Sequence, residues 1–156
     1  MTDDTGKVIA EVGGPIDECG VCLAIYGEDL DPDELTARFG CQPTHAHRRG
    51  DKRGPRSLPA QKGAWLLELR GEPPDTAEVL TRRILQSVPS DPELWRHLKD
   101  RFVIQMRYGI HLTGWNKGFG LPAELVASIS RLYASLEFDI YAYGEDDAGP
   151  SSEHPT

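Results

Sequence analysis

Hydrophobic and polar positions alternate, or recur at helical spacing, along most of the chain. In "VCLAIYG", Val21, Leu23 and Ile25 share one face while Cys22, Ala24 and Tyr26 share the other, which predicts a half-buried strand. "LDPDELTARFG" follows. Asp31 is placed to cap, Pro32 suits the first helical position, Glu34 completes a capping box, Leu35 and Phe39 lie one turn apart, and Gly40 ends the helix. "GAWLLELRG" predicts a second strand, with Trp65, Leu67 and Leu69 inward. "DTAEVLTRRILQSVP" repeats Ala77, Leu80, Ile84 and Val88 at helical spacing behind an Asp75–Glu78 capping box. "DPELWRHLKD" places Leu94, Trp95 and Leu98 on one side of another helix. "RFVIQMRYGIHL" predicts a long strand with Phe102, Ile104, Met106 and Tyr108 inward. "GLPAELVASISRLYAS" predicts a helix burying Leu125, Ile129, Leu132 and Tyr133. "LEFDIYAYG" closes the pattern as a strand with Leu136, Phe138 and Ile140 in, and Glu137, Asp139 and Tyr141 out.

The two halves resemble each other. Each runs strand, proline-led helix, strand, with Pro32 and Leu35 matched by Pro122 and Leu125. This predicts an α+β fold, a ferredoxin-like duplication of split strand-helix-strand units. The sheet is expected to be mainly antiparallel, of four strands, with helices on one face. Residues 41–62 are too long for a plain loop in a compact domain, so part of "PTHAHRRG" is expected to add a fifth strand with an arginine-guarded edge.

Composition changes the picture mainly at the ends. Hydrophobic residues make up only 38% of 156, and residues 1–16 and 145–156 are rich in Gly, Pro, Ser and acids. Both are expected to be disordered tails around a single domain over residues 17–144. No basic-then-apolar leader and no membrane-length apolar run is present, which predicts a cytoplasmic protein that does not enter a membrane. Three cysteines, Cys19, Cys22 and Cys41, suit a reducing compartment better than a disulfide framework.

Taken in order, "LAIYGEDLDPDELTARFGCQPTHAHRRGD", "GAWLLEL" and "GFGLPAELVASISRLYASLEFDIYAYG" resemble the bacterial family known as domain of unknown function 4279. The matching positions include Gly27, Leu35, Pro43-Thr44, Arg49-Gly50-Asp51, Trp65 and Asp139-Ile140-Tyr141. The resemblance implies a small single-domain bacterial protein, and it brings no reaction, cofactor or catalytic residue.

Four constellations carry candidate chemistry. Cys19, Cys22, Cys41 and His45 have the spacing C-x2-C-x18-C-x3-H, near the zinc-ribbon range. A zinc knuckle needs a turn at Cys22, however, and an extended strand points residues three apart to opposite faces, so no metal is expected. Residues 41–62 hold Arg48, Arg49, Lys52, Arg53, Arg56 and Lys62 against Asp51, a local charge of +5 that leaves -13 on the rest of a chain of net charge -8. Such polarity can steer an acidic partner, with Arg48, Arg49, Lys52 and Arg53 as binding residues. Nucleic acid fits poorly, because the segment lacks stacking aromatics and the chain as a whole repels a polyanion. The plainer reading is a solvated loop satisfied by the protein's own acids. On the sheet face away from the helices, Glu137 and Asp139 could serve as an acid/base pair, against a salt-bridged face with Arg107. In "TGWNKGFG", Trp115 is a candidate binding anchor or a ring tucked beneath its loop.

These features favour a non-catalytic bacterial binding or regulatory protein, immunity-type or similar, that meets a protein partner through its polarised surface and needs no cofactor. The alternative is a small enzyme or anionic-ligand-binding domain using residues 48–56 or the Glu137/Asp139 face.

Overall fold

A computed structural model describes residues 16–114 and 117–143. The elements in chain order are β1 (Glu18–Gly27), α1 (Pro32–Phe39), β2 (His45–His47), β3 (Gly63–Gly71), α2 (Ala77–Ser87), α3 (Pro92–Arg101), β4 (Val103–Thr113), α4 (Ala123–Arg131) and β5 (Ser135–Tyr143). The strands form one sheet in the order β2-β3-β1-β4-β5. The neighbours β2/β3, β3/β1 and β1/β4 run antiparallel, and β4/β5 run parallel.

The mixed sheet differs from the ferredoxin-like expectation. The first strand-helix-strand unit closes antiparallel, β1 against β3, and the second closes parallel, β4 against β5. The two similar helix starts therefore feed different connections, and sheet pairing rather than local sequence decides the direction. The fifth strand is present as β2, where His45 lies opposite Leu66 and His47 opposite Ala64.

Local signals act largely as expected. Asp31 and Asp91 cap α1 and α3, each accepting from the backbone N–H two residues on. Gly40 ends α1 in the left-handed region at φ 69°, where only glycine is unstrained. At α2 the cap moves one residue along. Thr76 accepts from Val79 N–H, while Asp75 is drawn instead to Arg83 at 3.0 Å.

The core lies between one sheet face and the helices. Val21, Leu23 and Ile25 from β1, Trp65 and Leu67 from β3, and Ile104, Met106 and Tyr108 from β4 meet Leu35, Phe39, Leu80, Ile84, Trp95, Leu98 and Ile129. Ile16, read from the sequence as tail, is buried in this cluster; the expected tails otherwise lie outside the described residues. Phe39 is the hinge of an aromatic group, edge-on to Trp65 at 4.9 Å and stacked on Trp95 at 5.2 Å. Both indoles are satisfied: Trp65 Nε1 donates to Thr36 Oγ1 and Trp95 Nε1 to the Pro89 carbonyl.

Two expectations fail at the C-terminal end. Tyr133 is exposed with φ 56° rather than inward on α4, which ends at Arg131. Every residue of β5 is exposed, including Leu136, Phe138 and Ile140. Their alternation is that of a core strand, and Leu136 and Phe138 do lie opposite Met106 and Tyr108. No residue of β5 reaches burial, so the helix layer leaves the face of this strand uncovered.

Candidate functional site

Antiparallel and parallel registers place alternate residues of the strands together on the face opposite the helices. Glu18, Gly20, Cys22 and Tyr26 come from β1, Leu66, Glu68 and Arg70 from β3, Arg107, Gly109 and His111 from β4, and Asp139 and Tyr141 from β5. They line an open trough of about 420 Å³, within the size range of small-molecule sites. Its floor is bare backbone, because Gly20 and Gly109 are directly opposite each other on neighbouring strands.

Neither glycine is explained by packing. A Cβ on Gly109 would meet nothing within 4 Å, and one on Gly20 would come no closer than 3.5 Å to the Glu68 carboxylate. Glycine weakens a strand interior, and in that position commonly marks close approach by a ligand or another backbone.

The walls are charged and aromatic. Arg107 donates to the Tyr26 hydroxyl at 3.1 Å and to Asp139 at 3.3 Å. Arg70 pairs with Glu68 at 3.0 Å. His111 stacks on Tyr141, with ring centroids 4.9 Å apart. Burial pushes the Cys22 thiol up to about 11, with Glu68 adding to the rise, so it stands protonated and unreactive at neutral pH. Asp139 is thus engaged by Arg107, and Glu137 is met by the Ser135 hydroxyl at 3.4 Å. Of the two, Asp139 stands in an ion pair with Arg107 and Glu137 in a hydrogen bond within its own strand.

The basic segment is folded onto the sheet edge. Gly50 N–H donates to the Ala60 carbonyl and Ala60 N–H to that of Asp51, which closes residues 51–60 into a loop. Arg48 reaches Asp31 and Asp33 at 2.8 and 2.6 Å, and Arg49 approaches Glu28 at 3.8 Å. Arg48 thereby ties the loop to the start of α1, and the protein's own acids absorb this part of the positive charge. Lys52 and Arg53 instead line an open cavity of about 650 Å³ with His45, His47 and Lys62. Cys19 and Cys22 occupy opposite faces of β1, one buried in the core and the other lining the trough. Trp115 lies outside the described residues.

With this geometry in view, the profile of the family described as domain of unknown function (DUF4279) matches residues 17–143. The chain belongs to that family. No curated protein and no solved structure matches it significantly.

The DUF4279 domain therefore presents three surfaces, of which the basic segment stands out in the sequence as one contiguous stretch. The trough and the bare β5 were anticipated only in part. Gly109 inside an alternating strand, with Gly20 at the edge of another, was the available signal for the trough. For β5 the signal was Tyr141 and Tyr143, large aromatics on the face expected to be polar.

Proposed function

We propose that the protein is a non-catalytic binding protein of the bacterial cytoplasm, regulatory or immunity-type, and that β5 is its contact element. One observation carries this reading: a nine-residue strand at the end of the sheet is exposed throughout, with Phe138 47% and Ile140 61% accessible. Edge strands are normally short, bulged, or guarded by charged residues, lysine above all, or by proline. This one has neither lysine nor proline, and its two charges, Glu137 and Asp139, both lie on the trough face, so the face of Leu136, Phe138 and Ile140 is unguarded. An extended segment of a partner can add to such an edge, with main-chain hydrogen bonds supplying affinity and alternate side chains supplying specificity. The test is affinity capture from the native cytoplasm with the wild type and with Ile140→Lys, after thermal melts show that both fold. A specific protein lost from the variant's capture supports β5; one retained at equal yield removes β5 from the account.

The paired glycines favour a second reading, a small-molecule site in the trough. A flat ligand would lie on the Gly20–Gly109 backbone between Arg107 and the His111–Tyr141 stack. Gly109→Val fills that floor, so a ligand found by thermal-shift screening of the wild type should fail to shift the variant.

A further inference from the structure

Strand β5 can lie antiparallel to its own copy without setting carboxylate against carboxylate. We infer that its partner is a second copy of this chain, with the two β5 strands antiparallel about a two-fold axis through Ile140. The inference rests on β5 being the contact element.

Register and charge carry the argument. In an antiparallel pair, directly opposite residues share a face. A two-fold axis between identical strands must therefore pass through a residue. The face shared with the trough carries Glu137, Asp139, Tyr141 and Tyr143, and like charges placed opposite each other are destabilising. An axis through Glu137 or Asp139 sets a carboxylate against its own copy. An axis through Phe138 sets Glu137 against Asp139 twice. With the axis at Ile140, Asp139 faces Tyr141 and Glu137 faces Tyr143, and no carboxylates are opposed. Axes nearer the ends of the strand, at Leu136, Tyr141 or Ala142, also avoid opposed acids within β5, but they pair fewer of its residues.

The same register suits the apolar face. Ile140 meets its own copy on the axis, and the bulky Phe138 lies against the small Ala142. Phe138 is held for this role, since its ring stacks on buried Tyr108 at 5.3 Å. The two sheets would join into one continuous sheet of ten strands, twice the five of one chain, with both helix layers on the same side.

The experiment combines mass and cross-linking. Sedimentation over a concentration series is expected to show a dimer, and Ile140→Lys, which places two like charges on the axis, is expected to halve the mass. On-axis residues have Cα atoms about 4.5–5.5 Å apart, within disulfide reach. Mild oxidation of Ile140→Cys should therefore give a covalent dimer, while wild type and Phe138→Cys, whose copies lie off-register, should not. A wild type that stays monomeric, or cross-linking as efficient at position 138 as at 140, overturns the inference. If the wild type is monomeric but Ile140→Lys still loses a captured partner, the second copy is wrong and the contact role of β5 stands. If the capture is also unchanged, both fail.

Discussion

At the scale of single residues, buried polar atoms give the sharpest expectations. Thr81 is fully buried and its hydroxyl donates to the Ala77 carbonyl at 2.7 Å. A hydroxyl has one proton, so the 2.9 Å contact to Tyr108 Oη must be donated by the tyrosine. Thr81→Val strands that phenol in the core and should cost about 1–3 kcal/mol in denaturant unfolding, whereas Tyr108→Phe leaves Thr81 bonded to Ala77 and should cost less. Trp65→Ala removes a fully buried indole and its bond to Thr36, and the expected loss is about 3–5 kcal/mol by the same measurement. Asp17 makes a different kind of prediction. Hydrogen bonds from Lys117 and from the Thr113 backbone and hydroxyl lower its pKa from 3.8 to about 2. A carboxylate whose pKa is depressed by folding stabilises the fold above its unfolded pKa and loses that contribution as pH falls through the folded one. Asp17→Asn should therefore lower the thermal midpoint at neutral pH, and the gap to wild type should close between pH 3.8 and about 2. Trp65 was legible in the sequence because alternation fixes its face. The Asp17 contact was not, since it joins residues 96 and 100 apart in the chain.

At the scale of elements, helix starts and the core strands β1, β3 and β4 were readable because each has a local period or a cap, and the extra strand β2 because residues 41–62 are too long for a plain loop. What periodicity cannot supply is the partner of each face. Leu136, Phe138 and Ile140 have the same alternation as Val21, Leu23 and Ile25, yet one set is exposed and the other wholly buried. The difference is position in the sheet. β1 is central, with β3 and β4 on its two sides and α2 packed over it, while β5 lies at the end of the order. The trough was hidden for a related reason: Gly20 and Gly109 are 89 positions apart and become a floor only through the β1/β4 register. Their cost is testable. Gly109 needs no unusual backbone angle and has open space above it, so a residue with a Cβ should suit the strand better. Gly109→Val is expected to stabilise the fold by about 0.5–1 kcal/mol in chemical unfolding. A loss of stability instead would show that the glycine serves the fold and would weaken the ligand reading of the trough.

At the scale of the whole molecule, the charge distribution gives opposite expectations for the two kinds of partner. Two copies, each of net charge -8, repel one another on approach. Added salt shortens the Debye length to about 10 Å at 0.1 M and relieves that repulsion, so pairing through β5 should tighten as salt rises. An acidic partner drawn to the basic segment should behave in reverse, associating fastest at low salt. Lys52 and Arg53 are the residues to exchange, because Arg48 and Arg49 are engaged by Asp31, Asp33 and Glu28. Lys52→Gln with Arg53→Gln should leave the thermal midpoint unchanged, since exposed charges of this kind add little to stability. The double variant is more negative than the wild type, so its self-association should weaken modestly at low salt and match the wild type at high salt. Sedimentation at several ionic strengths reads both effects. Self-association that weakens as salt is added would mean that opposite charges, and not the apolar face of β5, hold the copies together. If the Lys52→Gln/Arg53→Gln variant also loses that association at low salt, the contact lies at the segment around Lys52 and Arg53, where positive charge is concentrated on an otherwise acidic chain.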